Sequence, residues 1–169
     1  MSFSQFGLDP RLLQGVALLE FQHPTPIQTA TIPVALTGQD ILGSAETGTG
    51  KTAAYLLPLL QKLLTTAAHS RHPRGLILAP TRELALQVAE QAVQLGIRTN
   101  TRVVTIYGGV PLASQEKALA RGADVLSPHR VACSITWRDA TSPLARWKCS
   151  FWTKPTACSI SASSPTFAT

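Results

Sequence analysis

The run Ala45-Glu46-Thr47-Gly48-Thr49-Gly50-Lys51-Thr52 has the residue types and spacing to hold a polyphosphate. It lies between a short apolar strand, expected over Asp40 to Gly43, and a helix expected to begin at Lys51. Glycines let backbone N–H groups curl around an anion, a lysine in this position reaches the β- and γ-phosphates, and the threonine hydroxyl helps to hold Mg²⁺. The N-terminus of the following helix adds its positive dipole end. A strict phosphate-loop pattern has glycine where Ala45 stands, yet strand, loop and helix come in the order that the motif physically requires. The ligand to expect is therefore a nucleoside triphosphate with Mg²⁺. Lys51 and Thr52 would lie nearest its chemistry, with Thr52 as the Mg²⁺ ligand.

Three further segments narrow the reading. Phe21-Gln22-His23-Pro24-Thr25-Pro26-Ile27-Gln28 follows the isolated aromatic Phe3; Pro80-Thr81-Arg82-Glu83-Leu84-Ala85 and Gly108-Gly109 come later. Thr25-Pro26 by itself reads as a helix start, with threonine as N-cap and proline at the first helical position. The Gln28 amide offers both a donor and an acceptor, which suits an adenine edge. Together with the phosphate loop, and in unbroken order from Phe3 to Leu126, these segments resemble the amino-terminal RecA-like domain of DEAD-box RNA helicases. The resemblance implies that Gln28 reads the adenine edge and that Phe21 stacks on the base. It implies that Pro80, Thr81, Arg82, Glu83, Gly108 and Gly109 touch RNA, and that ATP and Mg²⁺ are the cofactors. The activity it implies is ATP binding and hydrolysis coupled to RNA duplex unwinding, with this chain expected to be a fragment unable to unwind; the alternatives are a nucleotide- and RNA-binding module without turnover, or a nonfunctional truncated product. That family works by closing two RecA-like domains around RNA, and the second domain is missing from these residues.

The elements that must position the motifs alternate. A helix is expected from Asp9-Pro10, with Leu12, Leu13, Val16 and Leu19 on one face, and a second after Thr25-Pro26. Beyond the phosphate loop come a helix (Lys51 to Leu64), a strand (Gly75 to Ala79), a helix (Arg82 to Leu95), a strand (Thr101 to Tyr107), a helix (Leu112 to Ala120) and a strand (Ala123 to Leu126). Thr65 to Arg74 reads as a polar surface loop. The alternation predicts an α/β fold, a RecA-like parallel sheet with helices on both faces, incomplete here. The phosphate loop and the segments after the second and third strands would all lie at strand C-terminal ends, where open α/β sheets bind ligands.

At 169 residues there is room for one ordinary domain, and 44% hydrophobic content is enough for a core. No apolar run approaches a membrane span, and no basic-then-apolar leader opens the chain, so a cytoplasmic protein is expected. The net charge of +6 suggests an anionic partner, but it is uneven. Residues 1–126 hold 10 Lys+Arg against 8 Asp+Glu, whereas residues 127–169 hold 5 against 1. The motifs, more than the charge, carry the RNA expectation.

After Leu126 the character of the chain changes. Every cysteine (Cys133, Cys149, Cys158) and every tryptophan (Trp137, Trp147, Trp152) lies beyond it, in a Ser/Thr-rich stretch without helical or strand period. The cysteines lack the paired spacing of a zinc site. DEAD-box proteins carry Val-Ala-Thr-Pro-Gly-Arg and later Asp-Glu-Ala-Asp here, and neither is present. The genetic code suggests why. Ser127 to Ala132 can be encoded TCG CCA CAC CGG GTC GCT; with one G restored in front, the same bases read Val-Ala-Thr-Pro-Gly-Arg. Trp147 to Ser159 treated likewise reads Val-Glu-Val-Leu-Val-Leu-Asp-Glu-Ala-Asp-Arg-Met-Leu, with Asp-Glu-Ala-Asp hidden in the codons of Thr153 to Thr156. Residues 1–126 are thus expected to form a partial ATP-binding domain, and residues 127–169 an out-of-frame, disordered tail.

Overall fold

Asp9 and Pro10 open α1 (Pro10–Leu18) in the computed structural model, which describes residues 2–66, 73–109, 112–129, 151–153 and 157–160. The Asp9 carboxylate accepts from the Arg11 backbone N at 2.9 Å, and Pro10 takes the first helical position, where a missing N–H costs nothing. The Arg11 guanidinium binds the same carboxylate at 2.9 and 2.8 Å. The expected apolar face is in the core: Leu12 and Val16 are buried, with Leu13 and Leu19 packed beside them.

Then α2 (Pro26–Leu36), β1 (Ile41–Ser44), α3 (Lys51–Thr65), β2 (Gly75–Leu78), α4 (Arg82–Leu95), β3 (Val103–Ile106), α5 (Leu112–Ala120) and β4 (Val125–Pro128) follow in the expected alternation. The bounds of α4 and α5 are those read from the sequence, while the strands shift by one or two residues. β4 runs on to Pro128 instead of ending at Leu126, because Ser127 and Pro128 continue the pairing with Thr105 and Ile106. Ser127 is fully buried there and donates from Oγ to the Ala85 carbonyl at 2.9 Å, so its hydroxyl is satisfied.

The sheet has the order β1-β6-β5-β2-β4-β3, where β5 is Phe151–Thr153 and β6 is Ala157–Ile160. β5, β2, β4 and β3 are parallel; β6 is antiparallel to both β5 and β1. The expected parallel sheet is present in β2, β4 and β3, which β5 extends in parallel. One expectation needs correction here: the stretch after Leu126, expected as a disordered tail, contributes strands although its sequence has no strand period. Phe151-Trp152-Thr153 is aromatic and β-branched, which suits a pleated surface, and it pairs the edge of β2 that would otherwise stay open. β6 returns after only three residues, too few for a parallel crossover, so it must run backwards. The remainder of residues 127–169 lies outside the described residues.

Side chains of the parallel strands alternate between two cores, as the pleat requires. Ile77, Val125 and Val103 face a large core with α1, α3 and α4; Leu76, Leu126, Val104 and Ile106 face a smaller one that includes Leu119 of α5. Both faces are therefore apolar, the pattern of a sheet covered on both sides. At β1 the burial is one-sided, and Leu42 is 83% exposed. The expected surface loop from Thr65 to Arg74 is also corrected at its ends. Thr65 closes α3, and Arg74 is half-buried, donating to the Leu63 and Thr66 carbonyls at 3.0 Å each and pairing with Asp124 at 3.1 Å. Residues 67–72 lie outside the described residues. No helix among the described residues is long and apolar enough to cross a membrane.

Candidate functional site

Chain direction brings the motifs together. Two successive antiparallel pairings leave β1 pointing the same way as β5, β2, β4 and β3, so the segments that follow β1, β2 and β3 emerge on one edge of the sheet. That edge carries Ala45 to Thr52 after β1, Pro80 to Glu83 after β2, and Gly108-Gly109 after β3.

The phosphate loop turns through two left-handed glycines, Gly48 (φ 80°) and Gly50 (φ 83°), a conformation that a side chain resists. Thr49 braces the turn by donating from Oγ1 to the Glu46 carbonyl at 2.7 Å. Gly50 is the N-cap of α3, which points its N-terminus and positive dipole end into the loop. Lys51 folds back over the loop, donating from Nζ to the carbonyls of Ala45 and Glu46. The ammonium thus lies at the mouth of the loop, where phosphate oxygens could replace neutral carbonyls as stronger, charge-assisted acceptors. Thr52 follows on the first turn of α3 and is half-buried.

Gln28 lies behind this loop, only 3% exposed. Its Oε1 accepts from Thr25 N at 2.9 Å and its Nε2 donates to the Gly50 carbonyl at 3.0 Å. The amide orientation follows from those partners, since a backbone N–H can only donate and a carbonyl can only accept. Thr25 adds a second tie, from Oγ1 to the Thr49 carbonyl at 2.8 Å. The close approach depends on glycine: a Cβ on Gly50 would fall 2.4 Å from Gln28 Nε2. Phe21 is half-buried and stacks on Phe3, with ring centroids 6.4 Å apart and planes 26° apart. A small cleft between α2, β1 and α3 is lined by Ile27, Thr31, Ile41, Gly43, Lys51 and Tyr55, among others.

The segments after β2 and β3 also meet. Thr81 caps α4, accepting at Oγ1 from Leu84 N at 3.2 Å, so its hydroxyl is used within the fold. Arg82 places its guanidinium carbon 4.4 Å from the centroid of the Tyr107 ring, immediately before the exposed pair Gly108-Gly109. His129 Nε2 lies 3.0 Å from the Pro80 carbonyl, which links the end of β4 to the same edge.

Sequence reasoning did not find the ties from Thr25 and Gln28 to the loop, or Tyr107 under Arg82. The first had no sequence signal, because it joins residues more than twenty positions apart. The second left a weak one, an aromatic side chain at a strand end directly before two glycines.

The sequence model of the DEAD/DEAH box helicase family matches residues 25–145, running past Leu126. The chain is 45% identical over 132 residues to the DEAD-box ATP-dependent RNA helicase CshA of Bacillus cereus, covering 77% of this chain and 25% of that protein. It is also 45% identical over 130 residues to the ATP-dependent RNA helicase RhlB of Xanthomonas axonopodis pv. citri, covering 75% and 23%. Its structure superposes with a TM-score of 0.70 and 42% identity on the RNA helicase Prp28 of Chaetomium thermophilum, solved bound to ADP, covering 76% of this chain and 32% of that one. The chain therefore spans about a quarter of the length of the curated relatives it matches.

Proposed function

Because the chain belongs to the DEAD/DEAH box helicase family, we propose that it carries the adenine-nucleotide and part of the RNA-binding surface of an ATP-dependent RNA helicase, and that these 169 residues bind without turning ATP over or unwinding RNA. The observation that carries the nucleotide half is that two side chains converge on one loop at the N-terminus of α3: Gln28 donates to the Gly50 carbonyl, and Lys51, the next residue, donates to the carbonyls of Ala45 and Glu46. The loop holds the phosphates of ATP, with Lys51 turning from its own carbonyls to the phosphate oxygens. Gln28, with Phe21 near it in sequence, selects adenine. Mg²⁺ comes with the phosphates, because this ion keeps several waters and takes few protein ligands. Thr52 is the residue here that would hold it. Pro80 to Glu83 and Gly108-Gly109 provide the surface for RNA, and a cytoplasmic location fits this reading.

Hydrolysis needs carboxylates that hold Mg²⁺ and position the attacking water, with further charge stabilisation in the transition state. Residues 127–169 contain one carboxylate, Asp139, and Thr153-Lys154-Pro155-Thr156 supplies none. We read residues 127–169 as out-of-frame translation. Supporting this, Thr153 ends β5 on the same sheet edge as the phosphate loop, where the shifted frame would begin Asp-Glu-Ala-Asp. The second RecA-like domain would complete the machine.

An ATPase assay of the 169-residue chain, with and without RNA and beside Lys51→Ala, tests the proposal. No RNA-stimulated turnover above the Lys51→Ala background is expected. Turnover that depends on both RNA and Lys51 would overturn it.

A further inference from the structure

Arg82 is exposed at the start of α4, and its guanidinium carbon lies 4.4 Å from the Tyr107 ring centroid. Tyr107 is itself fixed. The Gln115 side chain accepts from Tyr107 N at 3.1 Å and donates to Tyr107 O at 3.0 Å, clasping its backbone from α5. Beyond the ring come Gly108 and Gly109, both exposed; a Cβ on Gly109 would lie 3.7 Å from Arg82 Nη1, so the guanidinium edge reaches over the second glycine. Among the described residues no carboxylate pairs with Arg82.

These facts describe a cation held in place and, among the described residues, not paired with a carboxylate. A guanidinium over an aromatic face gains from the ring quadrupole while its edge N–H groups stay available for an anion. Without the ring, a long exposed side chain samples many rotamers and must be ordered when it binds. Two glycines without side chains let a nucleic-acid backbone pass close beneath that edge.

We propose that Tyr107 is a positioning residue for RNA: its ring holds the Arg82 guanidinium over Gly108-Gly109, ready to take one backbone phosphate of a single strand crossing the glycines. The inference rests on the RNA-binding reading above and adds a residue that lies outside the segments assigned to RNA by resemblance. Tyr107 acts through Arg82 and not on the strand itself.

A double-mutant cycle on the full 169-residue chain tests it, reading the affinity for a fluorescein-labelled oligouridylate of about ten nucleotides. Tyr107→Phe keeps the aromatic face and should bind as the unmodified chain does. Tyr107→Leu keeps apolar bulk without the quadrupole and should weaken binding about two- to fivefold, the range of an exposed cation–π contact. In an Arg82→Ala background, Tyr107→Leu should change nothing further. An equal loss in both backgrounds would overturn the inference, because a merely structural role persists without Arg82. No loss in either background would also overturn it. If the unmodified chain binds ADP but no oligouridylate, the RNA reading fails and this inference falls with it; binding without coupling removes this inference alone.

Discussion

The side-chain amide of Gln28 donates to the carbonyl of Gly50 at 3.0 Å, so the first turn of α2 is tied to the phosphate loop where α3 begins. The same amide accepts from Thr25 N at 2.9 Å. A glutamine amide has a second N–H and a second lone pair, so it can hold the loop and still read a base. Gln28→Ala should lose both ties, lower stability by about 1–3 kcal/mol through the groups left unpaired, and relax the choice between ATP and GTP. Gln28→Glu keeps an acceptor for Thr25 N but sets a carboxylate against the Gly50 carbonyl. It should lose nucleotide affinity more than α2 stability. Denaturant unfolding beside nucleotide titration separates the two; a Gln28→Ala chain with unaltered stability and ATP/GTP preference would contradict the assignment.

Gly15 and Leu95 set the crossing of α1 and α4. A Cβ on Gly15 would lie 2.2 Å from the Leu95 carbonyl oxygen and 2.7 Å from its carbon, so backbone meets backbone with no flexible side chain to give way. Gly15→Ala should destabilise the fold by about 1–3 kcal/mol, the usual cost of overpacking. The midpoint of urea unfolding measures it. An unchanged or raised midpoint would mean that the helices separate cheaply.

Acid should loosen α1 through Asp9. Hydrogen bonds from Arg11, side chain first and backbone second, hold the Asp9 carboxyl down to about 2. A depressed carboxyl stabilises the fold above its unfolded value of about 3.9, and the contribution is lost as pH falls towards about 2. Asp9→Asn keeps an N-cap acceptor but cannot titrate. The stability difference between this variant and the unmodified chain should therefore shrink between about pH 4 and pH 2. A difference constant over that window would show that the Arg11 pairing does not favour the charged form.

The nucleotide sequence decides the status of residues 127–169. Shifting the frame by one base after the Leu126 codon should yield Val-Ala-Thr-Pro-Gly-Arg, then Asp-Glu-Ala-Asp, then a second RecA-like domain. Wobble bases that spell no such motifs would remove the frame reading. The family match, which reaches residue 145, crosses this boundary, so the DNA and not the alignment is the arbiter.

Local chemistry made much of this molecule legible. Asp9-Pro10 and Thr25-Pro26 announced helix starts, and the apolar period of Arg82–Leu95 gave that helix its bounds. The phosphate loop was readable because its glycines, lysine and threonine are adjacent. What stayed hidden depends on partners distant in sequence. Ser127 extends β4 because Ala85 offers it a carbonyl, and Arg74 leaves the surface because Asp124, fifty residues on, pairs with it. β5 and β6 became strands through the open edges of β2 and β1, which no local period records. Tyr107 reads in the sequence as the end of a strand, and its contact with Arg82, twenty-five residues earlier, leaves no local period.

Calorimetric titration of the purified 169-residue chain with ADP and with GDP, repeated on Lys51→Ala, tests the central claim most directly. The expected result is saturable binding of ADP in preference to GDP, with the affinity lost in Lys51→Ala while its thermal unfolding is retained. Equal binding of ADP and GDP, or ADP binding that survives Lys51→Ala, would contradict a site built from Gln28, Gly50 and Lys51.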